Sequence, residues 1–216
     1  MIGPVLLINP NGNAKTTRAM ARIARKAAPG LRLEGVTTKG GPKVITTPGE
    51  LDRAANAVAA RQIPARFVGV IVAAFGDPGR DALADRLDMP VIGIAEAGMS
   101  AAAAGGRRFS VATTTPDLAD RIRGCAERYG HARQLVSIRL TEGDPLVVME
   151  DPKRLRDAMR KTVNLCAADG ADVVVIGGGP LARVARDLQD ESPVPLIEPV
   201  PEAARLVVKV LQSATA

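Results

Sequence analysis

The sequence predicts an α/β fold of two similar lobes, with mainly parallel sheets flanked by helices and a cleft between them. Two stretches carry that prediction. Val68-Gly-Val-Ile-Val-Ala-Ala-Phe75-Gly-Asp-Pro-Gly79 and Ala171-Asp-Val-Val-Val-Ile-Gly-Gly-Gly-Pro-Leu-Ala182 share one grammar, a short β-branched run without alternation followed by a Gly/Pro turn. Unbroken apolar runs of this kind suit parallel strands covered on both faces, and the glycines let backbone approach a ligand closely. The repetition points to two related half-units, residues 1–98 with 193–216, and residues 99–192. In open α/β sheets ligands bind outside the carboxyl ends of the strands, so these two strand ends are the expected floor of a shared site.

Composition narrows the function classes. A chain of 216 residues can bury a sizeable core as one large domain or two small ones. With no Trp, one Tyr and three Phe, that core must be Val, Ile, Leu and Ala, and platforms for base stacking are lacking. The formal charge is +6, but it is spread. Arg18, Arg22, Arg25 and Lys26 on one predicted helix, and Arg154, Arg156, Arg160 and Lys161 on another, are mixed with Ala as on solvated faces, so no nucleic-acid partner is expected. Cys125 and Cys166 are too few and too far apart for a disulfide framework or a thiolate metal site, which fits a reducing cytoplasm. One histidine, His131, cannot make a His-cluster metal site, and no metal is expected. Met1–Ile8 lacks the basic start of a targeting segment, and no run is long enough to span a bilayer, so no membrane partner is expected.

Along the first half, Val5–Ile8 is a strand and Asn9-Pro-Asn-Gly-Asn13 its turn, with Thr16 or Thr17 placed to cap a helix that Pro29-Gly30 stops. Two readings of the turn stand level. Asn9, Asn11 and Gly12 bind an anion or carbonyl oxygen at the helix start, or Asn-Pro-Asn-Gly is turn chemistry alone. Leu31–Val36 alternates as a second strand, and the Gly/Thr/Pro loop 37–48 either closes over a site, with Thr46 and Thr47 facing it, or is merely mobile. A helix from Glu50 leads to the strand Val68–Ala74, after which Phe75 is either a packing residue or, with Gly76, one wall of a pocket. Asp77 has two roles open to it, accepting bonds from turn N–H groups, which turn chemistry favours, or handling a proton. Arg80–Leu87 is a helix and Val91–Ile94 a strand. Glu96 then opens a small-residue crossover helix, Ala97–Ala104, either as a general base or acceptor for a substrate N–H, or as a cap or partner of an arginine.

The second half repeats the order. Phe109–Thr113 is a strand whose end carries Thr113 and Thr114 as oxygen binders, and Thr115 as an N-cap before Pro116. Leu118, Ile122 and Cys125 fall on one helix face, which makes Cys125 a core thiol, and His131 at that helix end is expected to face solvent. Val136–Leu140 is a strand and 141–150 a loop. Asp151-Pro152 begins a helix with Leu155, Met159, Val163 and Cys166 on one side. Gly177-Gly178-Gly179-Pro180 after Ile176 can bind a carboxylate through backbone N–H groups, but it is neither a Walker loop nor a dinucleotide fingerprint. A helix Leu181–Leu188, a short strand Val194–Ile197, the strand-end Glu198 and a last helix from Glu202 complete the chain.

Five of these motifs in this order, Asn9-Pro-Asn11, Ala74-Phe-Gly-Asp-Pro-Gly79, Pro90-Val-Ile-Gly-Ile-Ala-Glu-Ala97, Phe109-Ser-Val-Ala-Thr-Thr114 and Asp169-Gly-Ala-Asp-Val-Val-Val-Ile-Gly177, resemble the aspartate/glutamate/hydantoin racemase superfamily, and within it the hydantoin and allantoin racemase branch. The resemblance implies a cofactor-independent enzyme for a small-molecule substrate, a loop over the entrance, a last helix returning to the first half, and a homo-oligomer. It also implies two cysteines, one per half, exchanging an α-proton. This sequence departs there: the two thiol positions fall on Ala74 and Gly178. The expectation is therefore an enzyme acting on a small amide, ureido or carboxylate compound by isomerisation, elimination, hydrolysis or decarboxylation without thiols. The Asn9/Asn11 and Thr113/Thr114 loops would hold an oxyanion, Gly178 and Gly179 would leave substrate space, and Asp77 beside the vacant thiol position, Glu96 or a bound water would handle protons. The alternative is a small-molecule-binding or regulatory homologue that kept the cleft and lost the chemistry.

Overall fold

The structure, a computed structural model, describes residues 3–178 and 181–214, the side chain of Ala182 excepted. In its first sheet β1 (Val5–Asn9) lies between β2 (Leu33–Thr37) and β3 (Gly69–Val72), with β4 (Val91–Gly93) beyond β3. The second sheet has the same order: β5 (Phe109–Thr113) lies between β6 (Leu135–Leu140) and β7 (Val173–Ile176), with β8 (Leu196–Ile197) beyond β7. All pairings are parallel; Val5 stands opposite Leu33 and Gly69, and Phe109 opposite Leu135 and Val173. The two-lobed parallel α/β architecture read from the repeated grammar is the one observed.

The lack of alternation follows from helices on both faces. In β1 and β3, Val5, Leu7 and Ile71 face α1 (Ala14–Ala27) and α9 (Pro199–Ser213), while Leu6, Ile8, Val70 and Val72 face Val58 of α2 (Pro48–Ala59) and Leu83 of α3 (Arg80–Ala84). In β7, Val174 and Ile176 pack on α7 (Pro152–Ala168) and α8 (Ala182–Leu188), while Val173 and Val175 pack towards α5 (Ala119–Arg128). Burying each such aliphatic side chain contributes about 1.5–3 kcal/mol, so both faces must stay apolar. The crossover helix α4 (Ile94–Ala103) lies between the sheets: Ile94 and Ala97 join the first core, Ala95, Met99 and Ala102 the second. Its small side chains let both cores come close to one helix.

Several elements differ from the sequence reading, each for a local reason. Asn13, not Thr16 or Thr17, caps α1, its Oδ1 accepting from Lys15 N at 3.0 Å and Thr16 N at 3.2 Å. The segment expected as a loop at 141–150 contains a helix, α6 (Pro145–Glu150), begun by Asp144 as N-cap and Pro145 at the first position. This is the same Asp-Pro device that begins α7, on an element too short to show helical periodicity. Of the segment 193–216 expected with the first half, the described residues 193–214 divide between the sheets: β8 pairs with β7, while α9 packs on α1 and α4. His131 is half-buried, with Nε2 3.2 Å from Ser100 Oγ.

Candidate functional site

The carboxyl ends of the two central strands of each sheet converge on one cavity of about 50 Å³. Asn11 reaches it from the turn after β1, Ala73–Phe75 from the end of β3, Thr114 and Thr115 from the end of β5, and Gly177 and Gly178 from the end of β7. Val44, Ile45, Leu118, Met149 and Leu181 complete the wall. Halves that are far apart in sequence thus share one floor, with Ala74 and Gly178 both on it. Gly177 is required by packing: a Cβ there would stand 2.9 Å from Val111 Cγ1 and 3.2 Å from the Phe75 ring, which lies across from the other half.

The Asn-Pro-Asn-Gly turn spends most of its polar groups on itself. Asn9 is fully buried, donating through Nδ2 to Thr17 Oγ1 at 2.9 Å and Asn13 O at 3.2 Å, and accepting from Asn11 N at 3.0 Å. Gly12 donates its N–H to Pro42 O at 2.8 Å, and a side chain on it would collide with Gly41. Of the three turn residues singled out from the sequence, Asn11 is the one that lines the cavity. Its Oδ1 is buried with no hydrogen-bond partner. Such an acceptor costs about 1–3 kcal/mol unless a ligand or water meets it.

The threonines divide in the same way. Thr113 donates to Gly177 O at 2.8 Å, which ties the end of β5 to that of β7. Its neighbour Thr114 lines the cavity, its hydroxyl directed to Met149 Sδ at 3.7 Å. Thr115 makes no side-chain cap bond and lies on the cavity wall, with Oγ1 3.3 Å from Thr113 Oγ1. Thr46 gives its N–H and hydroxyl to Glu50 Oε2 at 2.8 and 3.1 Å, and Thr47 caps α2. The loop residues that reach the cavity are therefore Val44 and Ile45. Ile45 packs with Leu51, Ala74 and Leu118, so it joins the two halves at the cavity wall. Gly76 sits at φ 103 in the turn behind Phe75 and off the cavity wall; Gly179 lies outside the described residues.

Asp77 faces away from the cavity. It is 2% exposed, at φ 49, and its carboxylate accepts from Ala95 N, Glu96 N and Tyr129 Oη, each at 2.8 Å. The N-cap of α4 is Gly93, which has no side chain to offer, and a Cβ on Gly93 would overlap the Asp77 carboxylate. Asp77 thus caps α4 from another segment, and Tyr129 of the second half completes its shell. Burial pushes its pKa up to about 6, with the three donors opposing that rise. Glu96 accepts from Gly93 N at 3.1 Å and takes a forked pair from Arg80 at 3.2 and 3.0 Å. Glu198, the other strand-end carboxylate, pairs with Arg186 at 3.0 Å.

Among the described residues no side chain that titrates near neutrality lines the cavity. The thiols are elsewhere: Cys125 and Cys166 are buried in the second half's cores, and burial pushes both pKa values up to about 12. Iodoacetamide at pH 7.5 should therefore leave both unlabelled in the folded protein and alkylate both in urea, as read by intact mass. Rapid labelling of native protein would contradict that placement. Among the described residues no three His, Cys, Asp or Glu side chains gather as a metal-ligand set, and no helix is long and apolar enough to cross a membrane.

What the sequence reading missed is the apolar wall and Tyr129. Ile45, Leu118, Met149 and Leu181 carry the same apolar signal as core residues, and only chain convergence distinguishes them. The chain matches the Asp/Glu/Hydantoin racemase family over residues 5–207. It is 29% identical to a hydantoin racemase from Paenarthrobacter aurescens, over 94% of this chain and 88% of that one. A hydantoin racemase from Rhizobium meliloti is 30% identical, over 93% of this chain and 85% of the other. The crystal structure of allantoin racemase from Pseudomonas fluorescens superposes with a TM-score of 0.89 at 28% identity, covering 98% of this chain and 92% of that chain. Matched by that family's model over nearly its whole length, the chain belongs to the Asp/Glu/Hydantoin racemase family.

Proposed function

We propose that the cavity is a binding site for a small amide, ureido or carboxylate compound, in a family member that does not exchange an α-proton between two thiols. The observation that carries this reading is the cavity lining. It joins Ala74 and Gly178, the positions where the family resemblance calls for cysteines, and offers Asn11, Thr114 and Thr115 as its polar side chains, none of which can hold or release a proton at neutral pH. A small-molecule-binding or regulatory role that keeps the cleft fits that lining best. The unpartnered Asn11 Oδ1 is the group that a ligand N–H would satisfy. A cavity of about 50 Å³ is smaller than the several hundred Å³ typical of ligand pockets, so entry requires Ile45 to part from Leu118.

A second reading, an enzyme working by non-thiol chemistry, draws on the meeting of Asn11 and Thr114 from opposite halves within apolar walls. Such a pair can orient a carbonyl while the walls exclude water, leaving protons to a bound water or to the substrate itself. One experiment separates the two. Hydantoin, allantoin, N-carbamoyl amino acids and substituted malonates are titrated by calorimetry, and each is then incubated with enzyme in D₂O and followed by proton NMR. Binding without change supports the first reading, and binding with product formation the second. Rapid deuterium exchange at the α-carbon of otherwise unchanged hydantoin or allantoin, faster than without protein, overturns the non-thiol basis of both, and no binding of any compound overturns the site. Asn11→Ala should weaken the best ligand about 10-fold, the equivalent of one buried hydrogen bond.

A further inference from the structure

A pocket of about 300 Å³, larger than the cavity at the strand ends and sharing no residue with it, lies at the seam between the halves. That volume reaches the roughly 300–1,000 Å³ typical of small-molecule sites. Lys26 borders it from the last turn of α1, Glu202 and Arg205 from α9, Arg186 from α8 of the second half, and Glu198 from the junction of β8 with α9. Its apolar part is Ile23, Ala27, Leu196 and Pro201.

Three bases and two acids leave this pocket one positive charge in surplus. Glu198 Oε1 accepts from Arg186 Nε at 3.1 Å while Oε2 stands 3.0 Å from Nη2, and Glu202 pairs with Arg205 on the same helix. Both carboxylates are thus occupied. Among the described residues Lys26 forms no ion pair, and Arg186 Nη1 and Arg205 Nε and Nη2 donate to no protein acceptor. The backbone does not decide the sign: the last turn of α1 brings a negative dipole end to the pocket and the first turn of α9 a positive one, and the two oppose. The side chains decide it, and they call for one negative charge. A single carboxylate matches the surplus of one, its two oxygens suit planar guanidinium N–H groups, and the apolar part of the lining has room only for hydrocarbon. We propose that this pocket binds a small monocarboxylate with a short hydrocarbon part, its oxygens taken by Lys26 and the free guanidinium N–H groups and its hydrocarbon lying against Ile23 and Leu196. A ligand held in this way ties α1 and α9 to α8, and so one half to the other.

The test is a titration of isobutyrate into methyl-labelled protein at constant ionic strength, followed by NMR. The methyl resonances of Ile23 and Leu196 report this pocket, and those of Ile45 and Leu118 report the cavity at the strand ends. Ile23 and Leu196 should shift saturably with a dissociation constant below about 10 mM. Isobutyramide, the neutral isostere, should bind at least about 10-fold more weakly. Lys26→Gln should weaken isobutyrate about 10-fold, Lys26→Arg should retain it, and Lys15→Gln, which removes a cation at the other end of α1, should leave it unchanged. All three positions are exposed, and circular dichroism checks that each variant is folded. Shifts confined to Ile45 and Leu118 would place the ligand in the other cavity, overturning this proposal while leaving the function proposed for that cavity intact. Equal binding of the amide, a Lys26→Gln protein that binds as before, or no saturable shift of Ile23 and Leu196 below about 10 mM would each overturn it as well.

Discussion

Asp77→Ala should lower the unfolding free energy at pH 7 by about 2–3 kcal/mol and the melting temperature by roughly 5–10 °C, as measured by urea titration and calorimetry. The substitution leaves three donors, Ala95 N, Glu96 N and the Tyr129 hydroxyl, without an acceptor. It also uncaps α4, a helix shared by both cores, and Gly93 has no side chain to take over. Tyr129→Phe removes a single donor and should cost about 1 kcal/mol. Equal effects from the two variants would show that the helix cap contributes nothing. The pH dependence has a definite sign. The folded-state pKa of about 6 lies above the ordinary 3.8, so the stability contributed by neutral Asp77 is complete below pH 3.8 and is lost as pH rises through 6. That change is worth roughly 3 kcal/mol, and it should appear between pH 4 and 6.5 as a slope in the difference between the unaltered protein and Asp77→Asn. A flat difference would mean that the three donors and the helix dipole balance burial, and a slope of the opposite sign that they outweigh it.

Ala74→Cys combined with Gly178→Cys should gain α-proton exchange on a hydantoin or allantoin, read as deuterium uptake by NMR, where the unaltered protein shows none. Both positions line the same cavity from opposite halves, so two thiols would flank a ligand there. The two substitutions are not equally easy. Ala74 already carries a Cβ, and its thiol replaces one hydrogen at the cavity wall. Gly178 sits at φ 155, where side chains are strained, and a Cβ would lie 3.2 Å from Leu181 Cγ and Cδ1. Gly178→Cys alone should therefore cost about 1–2 kcal/mol of stability, and Leu181→Ala in the same chain should provide the missing room. A folded triple variant without exchange on any of these compounds would mean that the pocket no longer holds them as the thiol pair requires.

The architecture was legible because its signals are local. Val173–Ile176 and Val5–Ile8 are buried on both faces, and a run of β-branched or aliphatic residues between Gly, Pro and Asn is the direct trace of that burial. The helix faces of Cys125 and Cys166 were legible for the same reason, a periodicity contained within one element. The site was legible only as a place, the ends of the central strands, because the direction of each polar group depends on partners distant in the chain. Gly12 loses its N–H to Pro42, Thr113 turns to Gly177 while Thr114 lines the cavity, and Asp77 turns from the cavity to α4 and Tyr129. Neighbouring residues of one type thus part company where a strand ends and alternate side chains meet different surroundings. By itself the sequence determined two covered parallel sheets and the absence of thiols at Ala74 and Gly178; tertiary structure alone decided which polar groups were consumed in joining the halves and that Asn11 Oδ1 was left over, since a buried hydrogen bond exists only once both of its partners have been brought together.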